Sequence, residues 1–422
     1  MILGIIGDDF TGSSDIANNL KKSGMQVSMY AGIPNLSPED AKKQTTEAAV
    51  IALKTRTIPI KDAVKESLSA LNWLKESGCR QFIFKYCSTF DSTDKGNIGP
   101  VADALMNALD TDFTIACPAF PENGRTIFNG HLFVGDILLS DSGMKDHPLT
   151  PMTDANLVNV LASQTDKKVG LVKYQDVQGG ADTIRSAYDA LKSDGYSHAI
   201  VDAVSDEHLR FIGEASKDLK LITGGSGVAL GLPNNFRNQG LLGPSTEIDI
   251  DAPTGKTAVI AGSCSQATRG QIAYAQKHIE SFMVEPMALA DGQDVATKAL
   301  EWAQSRLGDQ PVLIYSSADP AVVKQVQDKL GRDEAGAMVE DALGKIARGL
   351  VDQGVRQLIV AGGETSGAVV NALEIRALRI GPEIDPGVPW TETLGSTKLA
   401  LALKSGNFGT EDFFVKSFGM LS

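Results

Sequence analysis

Short apolar runs alternate with amphipathic segments along almost the whole chain. Residues 1–6 form the first apolar run, and the segment 13–20 that follows has apolar residues at 16, 17 and 20, which is a helical spacing. The segment 60–77 repeats this spacing, and further apolar runs lie at 49–53, 81–86, 113–116 and 198–201. This alternation predicts an α/β fold of βαβ units, in which a mostly parallel sheet is flanked by helices.

The alternation is interrupted between residues 230 and 256, where turns rich in proline and glycine follow one another. It resumes with an expected strand from 256, helix 267–281, strand 311–315, helix 335–352, strand 356–361 and a helix from 366. A chain of 422 residues is also too long for one ordinary hydrophobic core. The sequence therefore predicts two domains, residues 1–240 and 257–422, joined by a linker at 241–256.

The charge and the apolar runs exclude two kinds of partner. The formal net charge is −13, whereas a protein that binds nucleic acid needs a basic face. No apolar run approaches the roughly 18 residues of a membrane span. The run at 1–6 is also too short for a signal peptide and lacks a basic flank. We therefore expect a cytoplasmic protein without a nucleic-acid or membrane partner.

The four cysteines do not suggest a disulfide framework or a metal site. They form no CxxC pair, and their spacing from the five histidines matches no zinc pattern. Three of them, Cys79, Cys87 and Cys117, adjoin strand-like runs, so we expect reduced and mostly buried thiols. Cys264 lies in a Gly/Ser loop and is expected to be more exposed. No metal site made of protein ligands is predicted.

The sequence Gly7-Asp8-Asp9-Phe10-Thr11-Gly12 places two adjacent acids where the first strand ends and a helix begins. In open α/β sheets this edge is where ligands bind. Burying two neighbouring carboxylates is costly unless a cation or proton donor meets them. We therefore treat Asp8 and Asp9 as candidate site residues. The alternative is that one acid caps the helix and the other faces solvent.

Small-residue loops follow strand-like runs at three further places, 221–227, 259–268 and 358–367. Glycine allows close backbone approach, and the helix that follows offers unpaired N–H groups, so such loops favour phosphate. Each loop alone is also compatible with a simple tight turn, but two of them in one domain strengthen the interpretation. The P-loop pattern GxxxxGK[ST] is absent, and no GxGxxG follows the first strand.

Two residues near these loops suggest more specific roles. Glu364 offers a carboxylate that can hold magnesium directly or through water, although an acid in the first turn of a helix also complements the helix dipole. The apolar run 399–403 continues into Lys404-Ser405-Gly406. If the run is a strand, Gly406 allows a base or ribose to lie flat against the backbone. The alternative is a helix capped by glycine.

Polar loops follow two more strands of the first half. Lys85 opens the stretch 85–93, which also contains Ser88, and Arg125 lies in the turn-rich stretch 118–126. Both cations suit the grip of a substrate carboxylate, although each can equally be an ordinary surface cation. The polar loop 146–154 is suited to closing over a small ligand, and His147 within it is either a ligand contact or an exposed loop histidine.

Together these motifs resemble the four-carbon acid sugar kinase family over essentially the full length of the chain. The stretches that carry the resemblance are 7–12, 262–265, 362–367 and 404–409. In addition, 121–125 and 147–154 resemble the 3-oxo-tetronate kinase branch of the family.

The resemblance implies an N-terminal domain that binds the acid sugar, a C-terminal domain that binds ATP, and an active site in the cleft between them. It implies ATP-dependent phosphorylation of the C4 hydroxyl of a small sugar acid, namely 3-oxo-tetronate, with D-threonate or D-erythronate as the alternative within the family. The residues that it implies as ATP contacts are Ser263, Gly362, Gly363, Glu364, Thr365 and Gly406.

For the chemistry, we expect Asp8 or Asp9 to accept the proton of the attacking hydroxyl. Lys85 and Arg125 would bind the carboxylate or flank the phosphate, and magnesium would bridge the β- and γ-phosphates, with help from Glu364. Thr11 and Ser88 offer hydroxyls to the substrate. A homo-oligomer is left open. Two other classes are a dinucleotide-dependent oxidoreductase, which the absent GxGxxG disfavours, and a non-catalytic sugar-acid binder, which the paired acids disfavour.

Overall fold

The computed structural model describes residues 1–43, 46–146, 150–243, 250, 252–308, 310–316, 328–329, 331–394 and 397–421. The chain divides into two compact units, Met1–Glu247 and Ile248–Ser422. His147 lies outside the described residues, so its expected role in a loop over the ligand stays a prediction.

The strands of the N-terminal unit form two sheets. They are β1 (Leu3–Gly7), β2 (Val27–Ala31), β3 (Ala48–Ala52), β4 (Gln81–Lys85), β5 (Thr114–Cys117), β6 (Arg125–Phe128), β7 (His131–Val134), β8 (Ile137–Leu138), β9 (Val169–Val172), β10 (His198–Val201) and β11 (Leu221–Gly224). The main sheet has the order β2-β3-β1-β4-β11-β5-β10-β9, and its neighbouring strands are parallel. The strands β6, β7 and β8 form a small antiparallel sheet.

The α-helices of this unit mostly connect successive parallel strands. They are α1 (Phe10–Lys22), α2 (Pro38–Lys42), α3 (Ile60–Glu76), α4 (Ile98–Ala108), α5 (Leu157–Ala162), α6 (Tyr174–Gln178), α7 (Ala181–Ser193), α8 (Asp206–Ala215) and α9 (Leu232–Asn238).

The core lies on both faces of the main sheet. Every residue of β1, β3 and β4 is buried, which requires cover on both sides and explains why these strands are almost continuously apolar. Helix α1 contributes Ile16, Ala17 and Leu20, which are fully buried. Burial of a side chain such as Ile16 contributes about 1.5–3 kcal/mol.

The order of the strands creates a crevice beside β1. From β1 the chain passes through α1 to β2 on one side, whereas from β3 it crosses through α3 to β4 on the other side. The loops after β1 and β4 therefore diverge and leave a topological switch point, which is the usual ligand position in such sheets. Residues 8–9 and 86–91 occupy these loops.

The C-terminal unit repeats this arrangement with different edge strands. Its strands are β12 (Lys256–Ala261), β13 (Ser281–Met283), β14 (Val312–Tyr315), β15 (Val355–Ala361), β16 (Ala377–Asp385), β17 (Val388–Thr393) and β18 (Ala400–Lys404). Their order is β13-β14-β12-β15-β18-β17-β16. The pairs from β13 to β18 are parallel, and β17 is antiparallel to both β18 and β16.

Its described helices are α10 (Gln266–Ala275), α11 (Pro286–Ala290), α12 (Val295–Gln304), α13 (Arg332–Asp352), α14 (Gly363–Ala372) and α15 (Phe413–Lys416). From β12 the chain passes through α10 to β13, and it returns through α13 to β15 on the other side of β12. The switch point of this unit therefore lies between the loops 262–265 and 362–365, two of the loops that the sequence marked as phosphate sites.

The predicted elements agree with this α/β architecture, with a few differences at their ends. Helix α10 ends at Ala275 rather than near 281, and α14 begins at Gly363 rather than at 366. The turn-rich segment 230–256 also includes the short helix α9, and Pro233 lies in its first turn, where proline is tolerated. The run 399–403 belongs to strand β18, so its helical alternative is wrong.

Candidate functional site

Asp9 lies at the switch point of the N-terminal unit and caps helix α1. Its Oδ1 accepts a hydrogen bond from the Gly12 N–H at 3.1 Å, and its Oδ2 accepts one from the Thr11 hydroxyl at 2.8 Å. The Asp9 side chain is still 26 % exposed. Capping therefore fixes the orientation of the carboxylate without covering it.

Asp8 is buried instead, with only 5 % of its side chain exposed, and it forms a two-point ion pair with Arg56. The Arg56 Nε and Nη2 donate to Asp8 Oδ2 and Oδ1 at 2.8 and 2.9 Å. Arg56 Nη2 also lies 2.9 Å from Asp9 Oδ1, and Nη1 lies 3.6 Å from Asp91 Oδ2. A cation thus meets both acids, and the alternative in which one of them simply faces solvent is wrong.

The two carboxyl groups have opposite pKa shifts. Burial raises the pKa of Asp8 above its ordinary value, and the ion pair with Arg56 only opposes this effect. Burial also acts to raise the pKa of Asp9, but Arg56, Lys85 and the hydrogen bonds at the start of α1 outweigh it and lower that pKa to about 2. Asp9 is therefore a permanent carboxylate at neutral pH.

Lys85, the last residue of β4, brings a second cation to this cluster. Its side chain is only 4 % exposed, and its Nζ lies 3.9 Å from Asp9 Oδ1. The close approach depends on Gly12, because a Cβ atom at that position would overlap the Lys85 ammonium group. The glycine that closes the opening motif therefore makes room for the cation.

The loop after β4 supplies hydroxyl groups and a third acid. Thr89 donates from Oγ1 to Asp91 Oδ1 at 2.5 Å, which leaves the other Asp91 oxygen facing Arg56. Ser88 lies half-buried in the same loop. The structure thus brings Ser88, like Lys85, to the edge of the sheet at which Asp8 and Asp9 lie.

Arg56 was missed from the sequence, although the same reasoning would have found it. It lies in the polar loop that follows the apolar run 49–53, just as Lys85 follows its own strand. Asn97 holds this loop in place, since its Nδ2 donates to the carbonyl oxygens of Thr55 and Ile58 at 2.7 and 2.9 Å. Arg56 is therefore held by Asp8 at its side chain and by Asn97 at the backbone of its loop.

Arg125 begins β6, and its guanidinium donates to the carbonyl oxygen of Asn123. Among the described residues, no hydrogen bond or ion pair joins Arg125 to Asp8, Asp9 or Lys85. Its proposed contact with a substrate carboxylate rests on the sequence alone.

The glycine-rich corner at 221–227 serves packing. A Cβ atom at Gly227 would lie 2.6 Å from the Ala119 carbonyl oxygen, so only glycine fits there. Ser226 hydrogen-bonds Asp15 through its hydroxyl, and its carbonyl accepts from the Asn19 Nδ2 at 3.1 Å. This corner therefore docks helix α1 onto the sheet.

The two glycine-rich loops of the C-terminal unit lie side by side and line one cavity of about 430 Å³. Among its walls are Ser263, Cys264, Gly362, Gly363, Glu364 and Thr365. They meet because β12 and β15 are adjacent and parallel, with Ala261 opposite Ala361. The cavity is thus lined by residues that the sequence marked as ATP contacts.

The start of α14 gives this cavity the character of an anion site. Gly362 is the residue before the helix, and its φ of 129° would strain any residue other than glycine. No side chain caps the N-terminus of α14. The first-turn N–H groups of α14 have no acceptor within the helix and point toward its N-terminal end. Glu364 is exposed beside them.

A third loop, 405–409, lies next to the same cavity. A Cβ atom at Gly406 would overlap the hydroxyl of Ser263, which shows how closely the Ser263 side chain approaches the Gly406 backbone. Ser265 and Thr268 donate from their hydroxyls to the Gly406 carbonyl at 2.6 and 2.7 Å. The predicted ATP contacts Ser263 and Gly406 are therefore neighbours.

A cavity lined by two glycine-rich loops on one α/β unit, and an ordered cluster of acids and cations on another, are typical of an enzyme that acts on a small molecule with a nucleotide. Comparison with family models agrees with this class. The model of a sugar-binding N-terminal domain matches residues 3–232, and that of a nucleotide-binding C-terminal domain matches residues 258–414. The chain belongs to the four-carbon acid sugar kinase family, as the sequence motifs indicated.

Known relatives cover the whole chain. The 3-oxo-tetronate kinases of Cupriavidus necator and Pseudomonas savastanoi pv. phaseolicola are each 55 % identical to it over 422 residues, covering 100 % of this chain and 97 % of theirs. The crystal structure of Haemophilus influenzae protein HI1011 is 43 % identical, with a TM-score of 0.81, covering 99 % of this chain and 100 % of that one.

Two further observations bear on ligands and location. Among the described residues, no helix combines the length and the apolar character needed to cross a membrane. The same part of the chain contains no group of three or more His, Cys, Asp or Glu side chains that could hold a metal ion.

Proposed function

We propose that the protein transfers the γ-phosphoryl group of ATP to the C4 hydroxyl of 3-oxo-tetronate and so forms 3-oxo-tetronate 4-phosphate. The observation that carries this proposal is the pair of switch-point sites, an acid–cation cluster in the sugar-binding unit and an anion cavity in the nucleotide-binding unit. The full-length relatives named as 3-oxo-tetronate kinases support the choice of acid.

We infer that Asp9 orients the attacking hydroxyl and accepts its proton. It is the more exposed of the two acids, and its carboxylate is held in one orientation by the start of α1. A group with a pKa of about 2 is a weak base. It suffices because the hydroxyl proton leaves late in a loose phosphoryl-transfer transition state, in which positioning matters most.

Asp8 has a different role in this proposal, since Arg56 already occupies both of its oxygens. It holds Arg56, which in turn keeps Asp9 ionised and in place. Lys85 would bind an oxygen of the acid sugar or neutralise charge on the transferring phosphoryl group. Thr11 and Ser88 would add hydroxyl contacts to the substrate, and Arg125 is the candidate for its carboxylate.

The cavity of the C-terminal unit fits ATP with magnesium. The first-turn N–H groups of α14 and the close backbone approach at Gly406 suit phosphates and a flat ring or ribose, with Ser263, Gly362, Gly363 and Thr365 as further contacts. Magnesium neutralises phosphate charge when it is bound. We expect Glu364, which lines the cavity, to help hold it alongside the phosphates themselves.

The chemistry requires the hydroxyl and the γ-phosphate to meet in line, so the active site is predicted to form where the sugar-binding and nucleotide-binding domains face each other. We propose residues 1–240 and 257–422 as these domains. Closure around both substrates would exclude water and suppress hydrolysis of ATP.

A coupled ADP-release assay tests the proposal on three acids: 3-oxo-tetronate, D-threonate and D-erythronate. We expect the highest kcat/KM for 3-oxo-tetronate. A preference for D-threonate or D-erythronate would overturn the choice of 3-oxo-tetronate as substrate, but the protein would still be a kinase. Binding of all three acids without ADP release would favour a non-catalytic binder, and turnover that changes nicotinamide absorbance would favour an oxidoreductase.

Cellular location and assembly are separate predictions. The expectation of a cytoplasmic protein is checked by fractionating cells that express the chain. Light scattering coupled to size-exclusion chromatography decides whether a homo-oligomer forms.

A further inference from the structure

Lys404 is a buried cation directly beneath the third loop of the nucleotide cavity. It is the last residue of β18, and none of its surface is exposed. Its Nζ donates to the Ser405 carbonyl at 2.9 Å, to the Gly406 carbonyl at 3.2 Å and to the Thr268 hydroxyl at 3.2 Å. All three acceptors are neutral, so the hydrogen bonds of the Lys404 amino group bring no opposite charge to it.

No counter-charge is present around Lys404 in the part of the chain that the structure describes. Charged and titratable side chains on the surrounding elements are Arg269 and Tyr274 on α10, Arg356 on β15, Glu392 on β17 and Glu364 on α14, with Cys264, Glu411 and Asp412 in the adjoining loops. None of them bonds to the Lys404 Nζ. Glu392 is engaged by Arg379 and Lys398 instead.

The network around Lys404 fixes one peptide group. The Gly406 carbonyl oxygen accepts from Lys404, Ser265 and Thr268 together, so it is held toward the protein interior. Since the N–H of a trans peptide points opposite to its C=O, the N–H of Asn407 must face the open side of the loop. Gly406 itself packs against Ser263 on the cavity wall.

We propose that Lys404 is a positioning residue of the nucleotide site, which holds the Gly406 carbonyl inward and takes up a proton when the phosphates of the nucleotide arrive as its missing counter-charge. The inference rests on the proposed function, because it needs a nucleotide in this cavity. It adds a residue and a coupled proton to that site.

The direction of the coupling follows from burial. Burial lowers the pKa of Lys404 to about 7, so in the free protein the amine is largely neutral above that pH. A polyanion bound nearby favours the ammonium form and raises the pKa. Nucleotide binding above pH 7 therefore takes up a proton, and the affinity falls as the pH rises.

Titration calorimetry of the full chain with Mg²⁺·ADP at pH 8, in two buffers of different ionisation enthalpy, counts this proton. We expect an uptake of about one proton per ADP, and a Kd that rises roughly five- to tenfold from pH 7.5 to 8.5. ADP binding without proton uptake would overturn the inference about Lys404, but the proposed nucleotide site would still stand. No ADP binding at any pH would overturn the nucleotide site and this inference with it.

Variants separate this role from a merely structural one. Lys404→Met keeps the apolar stem without the charge, and we expect it to bind ADP at pH 7 about tenfold more weakly and with no dependence on pH. Ser265→Ala removes an uncharged donor to the same carbonyl, so binding weakens but its pH dependence stays. Cys264→Ser removes the thiol from the cavity wall and serves as a control. The pH dependence of ADP binding should stay the same in this variant.

A pH dependence that persists in Lys404→Met would contradict the proposal. If that variant does not fold, the proton count of the unaltered chain and the pH profile of Ser265→Ala still decide, since both are measured on folded protein.

Discussion

Two adjacent aspartates of identical chemistry have different environments. Asp8 continues the buried strand and is paired with Arg56, whereas Asp9 turns out at the start of α1 and remains partly exposed. The sequence predicted that a pair of acids at a strand end needs a cation. It could not predict which cation, because Arg56 lies 48 positions away and is brought close only when β3 pairs with β1.

The two acids should respond differently to amidation. We expect Asp9→Asn to lower kcat about 10²–10⁴-fold, because it removes a proton acceptor and a charge that positions the hydroxyl. It should also cost stability at neutral pH, because Arg56 and Lys85 lower the pKa of Asp9 to about 2 in the folded protein. Asp8→Asn breaks the buried pair with Arg56 and should lower the free energy of unfolding by roughly 3 kcal/mol. Steady-state kinetics and urea denaturation measure both. Near-normal turnover in a folded Asp9→Asn variant would remove Asp9 from the mechanism.

Gly12 allows a test of Lys85 that leaves the lysine intact. In Gly12→Ala the added methyl group would overlap both the Lys85 ammonium group and Asp9 Oδ1, so it disturbs the contact between them. We expect the KM for the acid sugar to rise about tenfold or more while the KM for ATP stays unchanged. Gly270→Ala is the matched control, because its methyl group enters open space on another helix. Equal effects of both substitutions would contradict this role of Lys85.

At the scale of elements, similar glycine-rich corners have different roles, since some line a cavity and one packs against its neighbours. The loops 262–265 and 362–365 meet at a switch point and line a cavity, whereas 221–227 packs backbone against backbone. Local sequence predicted each corner correctly as a strand-to-helix turn. It could not separate binding from packing, because that depends on which strands become neighbours in the sheet.

Substitutions in two corners should distinguish packing from nucleotide binding. Gly227→Ala pushes a methyl group against the Ala119 carbonyl and should cost about 1–3 kcal/mol of stability without changing either KM. Gly362→Ala strains a residue at φ of 129° and should raise the KM for ATP, at a cost in stability of about 1–3 kcal/mol as well. Thermal denaturation and kinetics provide the readouts. A raised KM for ATP in Gly227→Ala would give that corner a binding role as well.

At the scale of the whole molecule, the chain uses one topology twice. In each unit the chain first adds strands on one side of the first strand and then crosses to its other side. The candidate ligand residues lie in the loops that follow the strands at this switch point. The alternation of apolar runs predicted the α/β class, and the motifs predicted the family. The supporting residues Arg56 and Asn97 were missed, because their roles come from contacts between distant segments. Lys404 was noted only as part of the stretch 404–409, without a role.

A ligand that binds only the folded nucleotide unit should stabilise it. With Mg²⁺·ATP at about 100 times its Kd, and no acid sugar present, the stabilisation is about 2.7 kcal/mol. For a unit of this size that corresponds to a rise in Tm of roughly 5–10 °C. Differential scanning calorimetry measures it, and Gly362→Ala should reduce the shift. An unchanged Tm at saturating Mg²⁺·ATP would argue against the cavity as the nucleotide site.

The position of the transferred phosphate tests the central claim most directly. Proton-coupled ³¹P NMR of the product formed from ATP and 3-oxo-tetronate distinguishes a phosphate on the primary C4 oxygen from one on the C2 hydroxyl or the carboxylate. We predict a phosphate monoester signal split into a triplet by the two C4 protons, appearing together with ADP. A doublet, an acyl phosphate or inorganic phosphate alone would contradict the proposed reaction.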